Sequence, residues 1–176
     1  MKYPSFIALL ALALISPGLR AEDKPAAPVK KTEAAKDKTD SVKDEAGWYT
    51  DYAEAQKAAA KEKKPIIMLF TGSDWCHWCI KLEKQILGEE AFKTWAAKKV
   101  VLYKADSKGG ASHLSAENKK MMDGYGAQGF PTIVITDAKG KSFGTTGYRD
   151  TTPKDYNKHL EEIIASKGRN AKPTRK

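Results

Sequence analysis

The stretch KPIIMLFTGSDWCHWCIKL, residues 64–82, decides the fold. Residues 65–70 are an apolar run with the length and composition of a strand that is buried on both faces. Residues 71–74 favour a turn, because glycine gives the backbone freedom and Ser and Asp commonly cap helices. An amphipathic helical pattern follows, and Cys76 and Cys79 lie at its start. The stretch therefore predicts a buried strand, a turn and a helix whose first turn holds both cysteines.

Cys76 and Cys79 are the only cysteines in the chain. A helix N-terminus has free N–H groups and a positive dipole end, which stabilise the thiolate that attacks disulfides. We therefore predict that Cys76, at the helix start, is the nucleophile, and that Cys79 is the resolving thiol. His77, when protonated, would favour the Cys76 thiolate further, which predicts a redox-tuning role for it. A bond between the two cysteines closes so small a ring that it stabilises the fold by only about 2 kcal/mol. The pair thus indicates a redox couple and not a structural cross-link.

Composition divides the 176-residue chain into four parts. Residues 1–21 predict a cleaved secretory signal peptide. They begin with a positively charged region, continue with an apolar run that is too short to span a bilayer, and end with a small residue suited to cleavage. Residues 22–46 are mostly Ala, Lys, Pro and acids and predict a disordered linker. Residues 47–166 predict one folded domain, and residues 167–176 a basic tail.

The formal net charge of +9 is concentrated in part in that tail, which contains no acidic residue. The tail also lacks aromatic side chains that stack on bases, so we predict no nucleic-acid partner. A secreted chain with a single cysteine pair avoids scrambling its own disulfides, which favours a periplasmic or secreted redox protein. No dimerisation segment is evident, and a monomer is favoured.

The folded part predicts an α/β domain. A strand–helix–strand unit followed by a hairpin and a last helix implies a mixed sheet with helices on both faces. His113 and His159 are interpreted as surface residues. The predicted strands are residues 65–70, 100–105, 132–136 and 141–146; the predicted helices are residues 51–63, a helix from the cysteines to about residue 87, and residues 89–98, 115–125 and 152–166.

This order of elements, the WCHWC motif of residues 75–79 and the late segment Gly129-Phe130-Pro131-Thr132 together resemble the thioredoxin superfamily. The opening GSDWC and a long insertion look most like secreted bacterial thioredoxin-like proteins related to thiol:disulfide interchange domains. The resemblance implies a thioredoxin-like fold over residues 48–166.

The resemblance also implies a substrate groove. Pro131 would be cis and lie beside the cysteine pair, where it leaves the backbone of Phe130 available to an extended substrate strand. Trp75 and Gly147 match groove positions of thioredoxins. Trp78 is less usual there, and it either contacts substrate or covers the core.

One position departs from the thioredoxin pattern. Thioredoxins carry a buried acid six residues before the first cysteine, and here that position is Phe70. Asp74 is nearer in sequence and is expected at the surface. Proton transfer at Cys79 is therefore assigned to water or to His77.

The leading hypothesis is an extracytoplasmic thiol–disulfide oxidoreductase that acts on protein thiols and disulfides with a membrane or secreted redox partner. The sequence leaves the direction of electron flow open. One alternative is a metal-handling module in which Cys76, Cys79 and a histidine bind copper or zinc, since soft thiolates suit Cu(I). A closed zinc site usually has four ligands, and Pro131 would crowd a metal, so neither a metal nor another cofactor is predicted. A second alternative is an adaptor domain with a vestigial cysteine pair.

Overall fold

A four-stranded mixed sheet forms the centre of the part of the chain described by this computed structural model, residues 43–44 and 46–166. The predicted signal peptide, nearly all of the predicted linker and the predicted basic tail lie outside the described residues. Among the helices that are described, none is both long enough and apolar enough to cross a membrane.

The elements follow the predicted order, which confirms the α/β class with helices on both faces of a mixed sheet. In chain order they are α1 (Tyr52–Glu62), β1 (Ile66–Thr71), α2 (His77–Leu82) with a following π-helical turn (Glu83–Leu87), α3 (Glu90–Lys99), β2 (Val101–Asp106), a short 3₁₀ turn (Ala111–His113), α4 (Ala116–Gly124), β3 (Thr132–Thr136), β4 (Ser142–Thr146) and α5 (Pro153–Ser166).

Strand β1 is the central element, because it pairs in parallel with β2 and antiparallel with β3. All six of its residues are buried, as the apolar run predicts. Ile67 and Leu69 pack in the cluster that includes α2, α3 and α5 residues, whereas Met68 and Phe70 pack in the cluster that includes α1 and α4 residues. This alternation follows from the two-residue period of a strand. Strand β1, which leads into the turn before the cysteines, is therefore covered by core on both faces.

The helix after the cysteines differs from the single helix predicted up to residue 87. It changes to a π-helical turn at Glu83, where the N–H of Gly88 donates to the carbonyl of Glu83 over 2.7 Å. A Cβ on Gly88 would lie 2.8 Å from that same oxygen, so glycine is what lets the chain close this wider turn. A π-helical turn contains one residue more than an α-helical turn. Both Ile86 and Leu87 of this turn are buried in the core.

Lys43 and Asp44, the first residues that the structure describes, already contact the domain. Tyr49 bridges both Lys43 and Tyr103 of β2. The Asp44 carboxylate accepts the N–H of Trp48 and lies 2.9 Å from the Lys104 ammonium. Partial burial alone would raise the pKa of Asp44, but these two partners lower it below its ordinary value.

The surface position predicted for His159 is corrected. His159 is half-buried, with its Nε2 3.0 Å from Thr146 Oγ1 and its ring beside Tyr156. The cause is the close approach of α5 to β4, where a Cβ on Gly144 would lie 2.9 Å from Ile163. His113 is exposed, as predicted.

Candidate active site

The two cysteines form a disulfide at the N-terminus of α2, with their Cα atoms 5.2 Å apart. Cys76 is the N-cap residue, and its Sγ accepts the backbone N–H of Cys79 over 3.3 Å. Cys76 is 7% exposed, whereas Cys79 is fully buried. The two cysteines therefore differ in exposure, and Cys76 is the one that retains some solvent-accessible surface.

The turn before Cys76 is fixed by the loop that follows β2. Ser73 donates through its N–H and its hydroxyl to the two carboxylate oxygens of Asp106. The exposed Asp74 accepts the N–H of Gly109. Strands β1 and β2 are parallel, so their carboxyl ends meet at one edge of the sheet, and these contacts tie the two loops together there.

Trp75 lies on the surface beside the disulfide and is 41% exposed. Its indole N–H donates to the carbonyl of Ser107 over 2.6 Å, and its ring lies against Gly72, where no Cβ would fit. The Phe130 ring meets it edge-on with the ring centres 5.6 Å apart. The predicted groove residues Trp75 and Phe130 are thus in contact.

The Phe130–Pro131 peptide bond is cis, and Gly147 lies against it. A Cβ on Gly147 would be 2.9 Å from the Pro131 carbonyl oxygen. The hydroxyl of Tyr156 donates to the Gly147 carbonyl over 2.7 Å. Burial raises the pKa of Tyr156 far above its ordinary value, so that hydroxyl remains a donor at any physiological pH. Tyr156 is a residue that the sequence analysis missed.

Trp78, between the cysteines, is 51% exposed and so does not cover the core. Its ring lies 5.1 Å from that of Tyr148 and 5.2 Å from that of the exposed His77, measured between ring centres. The Lys81 ammonium lies over both Trp78 and Tyr148. Neither Tyr148 nor Lys81 was predicted from the sequence, because nothing in the local pattern shows that the end of β4 reaches α2.

Glu83, Thr71 and Lys104 form a polar cluster one helical turn after the buried Cys79. Glu83 follows Cys79 by one turn, and its backbone N–H donates to the Cys79 carbonyl. Its carboxylate accepts the hydroxyl of the fully buried Thr71 over 2.7 Å and lies 3.8 Å from the Lys104 ammonium. Phe70 packs on the other face of the sheet. The four-residue spacing from Cys79 is the sequence signal that would have found Glu83.

Within the described residues, no group of three or more His, Cys, Asp or Glu side chains is arranged to hold a metal ion.

Comparisons with known proteins agree with this architecture. A model of a thioredoxin-like domain matches residues 52–164. The disulfide bond reductase DsbH of Chlamydia pneumoniae is 36% identical over 104 residues, 57% of this chain and 62% of that protein. The match thus spans less than two thirds of that relative's length.

Solved structures show the same fold. A structure described as DsbH oxidoreductase is 28% identical, with a TM-score of 0.62 over 80% of this chain and 95% of that one. A thioredoxin from Thermus thermophilus is 18% identical, with a TM-score of 0.55 over 69% of this chain and 88% of that one. These matches confirm the predicted thioredoxin-like fold. The chain belongs to the thioredoxin-like domain family and, within the thioredoxin superfamily, is related to the Dsb proteins.

Proposed function

We propose that the protein is a thiol–disulfide oxidoreductase that reduces disulfide bonds of other proteins outside the cytoplasm. The observation that carries the proposal is the asymmetry of the cysteine pair: Cys76 caps α2 and is 7% exposed, while Cys79 has no exposed surface. A structural cross-link has no need of this difference in access. A redox couple needs one sulfur that attacks the substrate disulfide and a second that later resolves the mixed disulfide.

The reaction has two steps. In the reduced protein, the Cys76 thiolate attacks one sulfur of a substrate disulfide; a mixed disulfide forms and the other substrate sulfur leaves as a thiolate, which takes a proton. The Cys79 thiolate then attacks Cys76 Sγ, which releases the second substrate thiol and forms the Cys76–Cys79 disulfide. Two electrons have passed to the substrate. A dithiol of a membrane or secreted redox partner would return them.

The Cys76 thiolate has a donor in place. The N–H of Cys79 already points at Cys76 Sγ, and it would stabilise negative charge on that atom in the reduced state. His77, exposed on the next residue, would add positive charge when protonated, which supports its assignment as a tuning residue.

Substrate would lie as an extended strand along Trp75, Phe130, Pro131 and Gly147. Phe130 precedes the β1–β3 ladder, which begins at Thr132, so its backbone is outside the sheet pairing. An extended polypeptide would pair with it there by main-chain hydrogen bonds, as in other cases of strand addition. The ring of Trp75 and that of Phe130 would form the wall next to the reacting sulfur.

Two observations support the proposed direction of electron transfer and the proposed location of the protein. The similarity to a protein named disulfide bond reductase favours reduction over oxidation. The predicted signal peptide of residues 1–21, together with a single cysteine pair, favours a periplasmic or secreted location. Cell fractionation of the full chain, with N-terminal sequencing of the product, tests the location.

Insulin reduction with dithiothreitol as electron donor tests the activity. We expect Cys76→Ser to abolish turnover and Cys79→Ser to accumulate mixed disulfides that reducing agent releases. Equilibration with glutathione then tests the direction. A reduction potential near about −270 mV agrees with a reductant, and one near about −120 mV indicates an oxidant and contradicts the proposed direction. Full activity of Cys76→Ser would contradict the proposed function itself.

A further inference from the structure

A second aromatic pair borders the cysteines, apart from the Trp75–Phe130 wall. We call it the Trp78 shelf and define it as Trp78, Tyr148 and Lys81. The two rings lie 5.1 Å apart at an angle of 34°. The Lys81 Nζ lies 5.2 Å from the centre of the Trp78 ring and 5.7 Å from that of the Tyr148 ring. The shelf therefore presents an ammonium group held against two aromatic rings.

Two residues of the shelf, Trp78 and Tyr148, are next to residues of the proposed site in the sequence. Trp78 lies between Cys76 and Cys79 in the sequence. Tyr148 directly follows Gly147, which lies against the Pro131 carbonyl, and its hydroxyl donates to the Gln85 side chain over 3.3 Å. One residue of extended chain spans about 3.3 Å. A polypeptide that reacts at Cys76 would thus bring the residues next to its own cysteine within reach of the shelf.

The charge on the shelf is unbalanced. In the described part of the chain, neither Lys81 nor the exposed Arg149 forms an ion pair with a carboxylate. The carboxylate of Glu83, two residues from Lys81, is turned toward Thr71 and Lys104. Asp150, beside Arg149, is the one acidic neighbour in that turn. Half of the Trp78 surface remains exposed beside the Lys81 ammonium.

We propose that the Trp78 shelf selects substrates, favouring polypeptides that carry Asp or Glu next to the reacting cysteine. This inference rests on the proposed function. The carboxylate would pair with Lys81, whose ammonium the two rings hold near one position, so that less side-chain freedom is lost on binding. The aliphatic part of the same substrate side chain would cover the exposed face of Trp78. An exposed ion pair of this kind changes binding by about two- to fivefold.

The test uses three short peptides, each with one internal disulfide, that carry Glu, Lys or Ser on both sides of the attacked cysteine. The ratio of kcat/KM for the Glu peptide to that for the Lys peptide is measured for the wild type and for Lys81→Glu. The matched control is Lys93→Glu, which changes the net charge equally. Lys93 lines a cavity of about 300 Å³ together with Lys64 and Val101, at the opposite ends of β1 and β2 from the cysteines.

We expect the wild type and Lys93→Glu to prefer the Glu peptide by about two- to fivefold at low salt, and Lys81→Glu to lose or reverse that preference. High salt should remove the preference in every variant. Because a change in the Cys76 thiolate affects all peptides alike, the ratio isolates the shelf. Equal ratios in the wild type and both variants would overturn the proposal.

The Ser peptide separates this inference from the proposed function. If the wild type reduces it but shows no charge preference, only the shelf proposal fails; if no peptide is reduced, the proposed function fails too. A third measurement, binding to lipid vesicles, tests whether the shelf contacts a membrane and not a substrate. Loss of binding to vesicles containing anionic lipid in Lys81→Glu, with no peptide preference, would identify the shelf as a membrane contact and overturn the substrate role.

Discussion

Replacing Gly147 by alanine tests whether the groove depends on the close contact between the end of β4 and the cis-proline loop. The new Cβ would lie 2.9 Å from the Pro131 carbonyl oxygen, about 0.5 Å inside ordinary van der Waals contact. The neighbour is backbone, so the two segments must separate. The hydrogen bond from Tyr156 to the Gly147 carbonyl restrains that movement and would have to bend or lengthen.

The expected size of the effect follows from this overlap. Overpacking of a well-packed region costs about 1–3 kcal/mol of unfolding free energy. A displacement of about half an ångström between groove elements should lower kcat/KM by about tenfold, since a 1 Å misplacement can cost about a hundredfold. Urea unfolding of the oxidised protein measures the first quantity, and peptide disulfide reduction the second.

Gly129→Ala is the matched control, because Gly129 lies in the same loop and a Cβ there meets nothing within 4 Å. It should differ from the wild type by less than about 0.5 kcal/mol. If Gly147→Ala behaves like this control in both assays, then the close contact does not position the groove, and the reasoning is refuted.

Three further substitutions test other parts of the structure. Burial lowers the pKa of His159 in the folded protein, so as the pH falls the unfolded chain binds a proton at this histidine before the folded protein does. The stability of the fold should therefore decrease as the pH drops through about 6.5, the ordinary pKa of histidine. In thermal unfolding, His159→Gln should lose less stability than the wild type between pH 7.5 and 5.5. Glu83→Ala leaves the buried Thr71 hydroxyl unpaired and should cost about 2–3 kcal/mol in urea unfolding, whereas Glu83→Gln, which still accepts that hydroxyl, should cost about 1. Trp75→Phe loses the hydrogen bond to Ser107 and should cost about 1 kcal/mol while lowering kcat/KM. Unchanged kinetics would show that this hydrogen bond does not position the groove.

The elements with strong local signals are the ones that the sequence predicted. The apolar run before the cysteines and the pattern of the last helix both match the structure, with β1 beginning one residue later than expected. The π-helical turn had no such signal. It combines a close approach of Gly88 to the Glu83 carbonyl with burial of both Ile86 and Leu87 in the core.

The candidate site also contains residues with a local sequence signal and residues whose place depends on tertiary packing. The cysteines form a local motif of their own, and Pro131 was assigned to the site through the resemblance to the thioredoxin superfamily. Tyr148 contacts Trp78, which is distant in sequence, and Tyr156 reaches from α5 to the Gly147 carbonyl beyond β4. The closeness of two such residues is decided by how β4 and α5 pack, which residue patterns within one element do not encode.

The absence of an acid at Phe70 has a physical explanation in the sheet. Successive residues of a strand point to opposite faces, and in this chain Phe70 points to the face that α1 and α4 cover. Thr71 points the other way, toward the helix of the cysteines, and meets the Glu83 carboxylate there. Cys79 and Glu83 are four residues apart on one helix and so share a face. The carboxylate on the cysteine side of the sheet is therefore supplied by the helix and not by the strand, and Lys104 of β2 balances its charge.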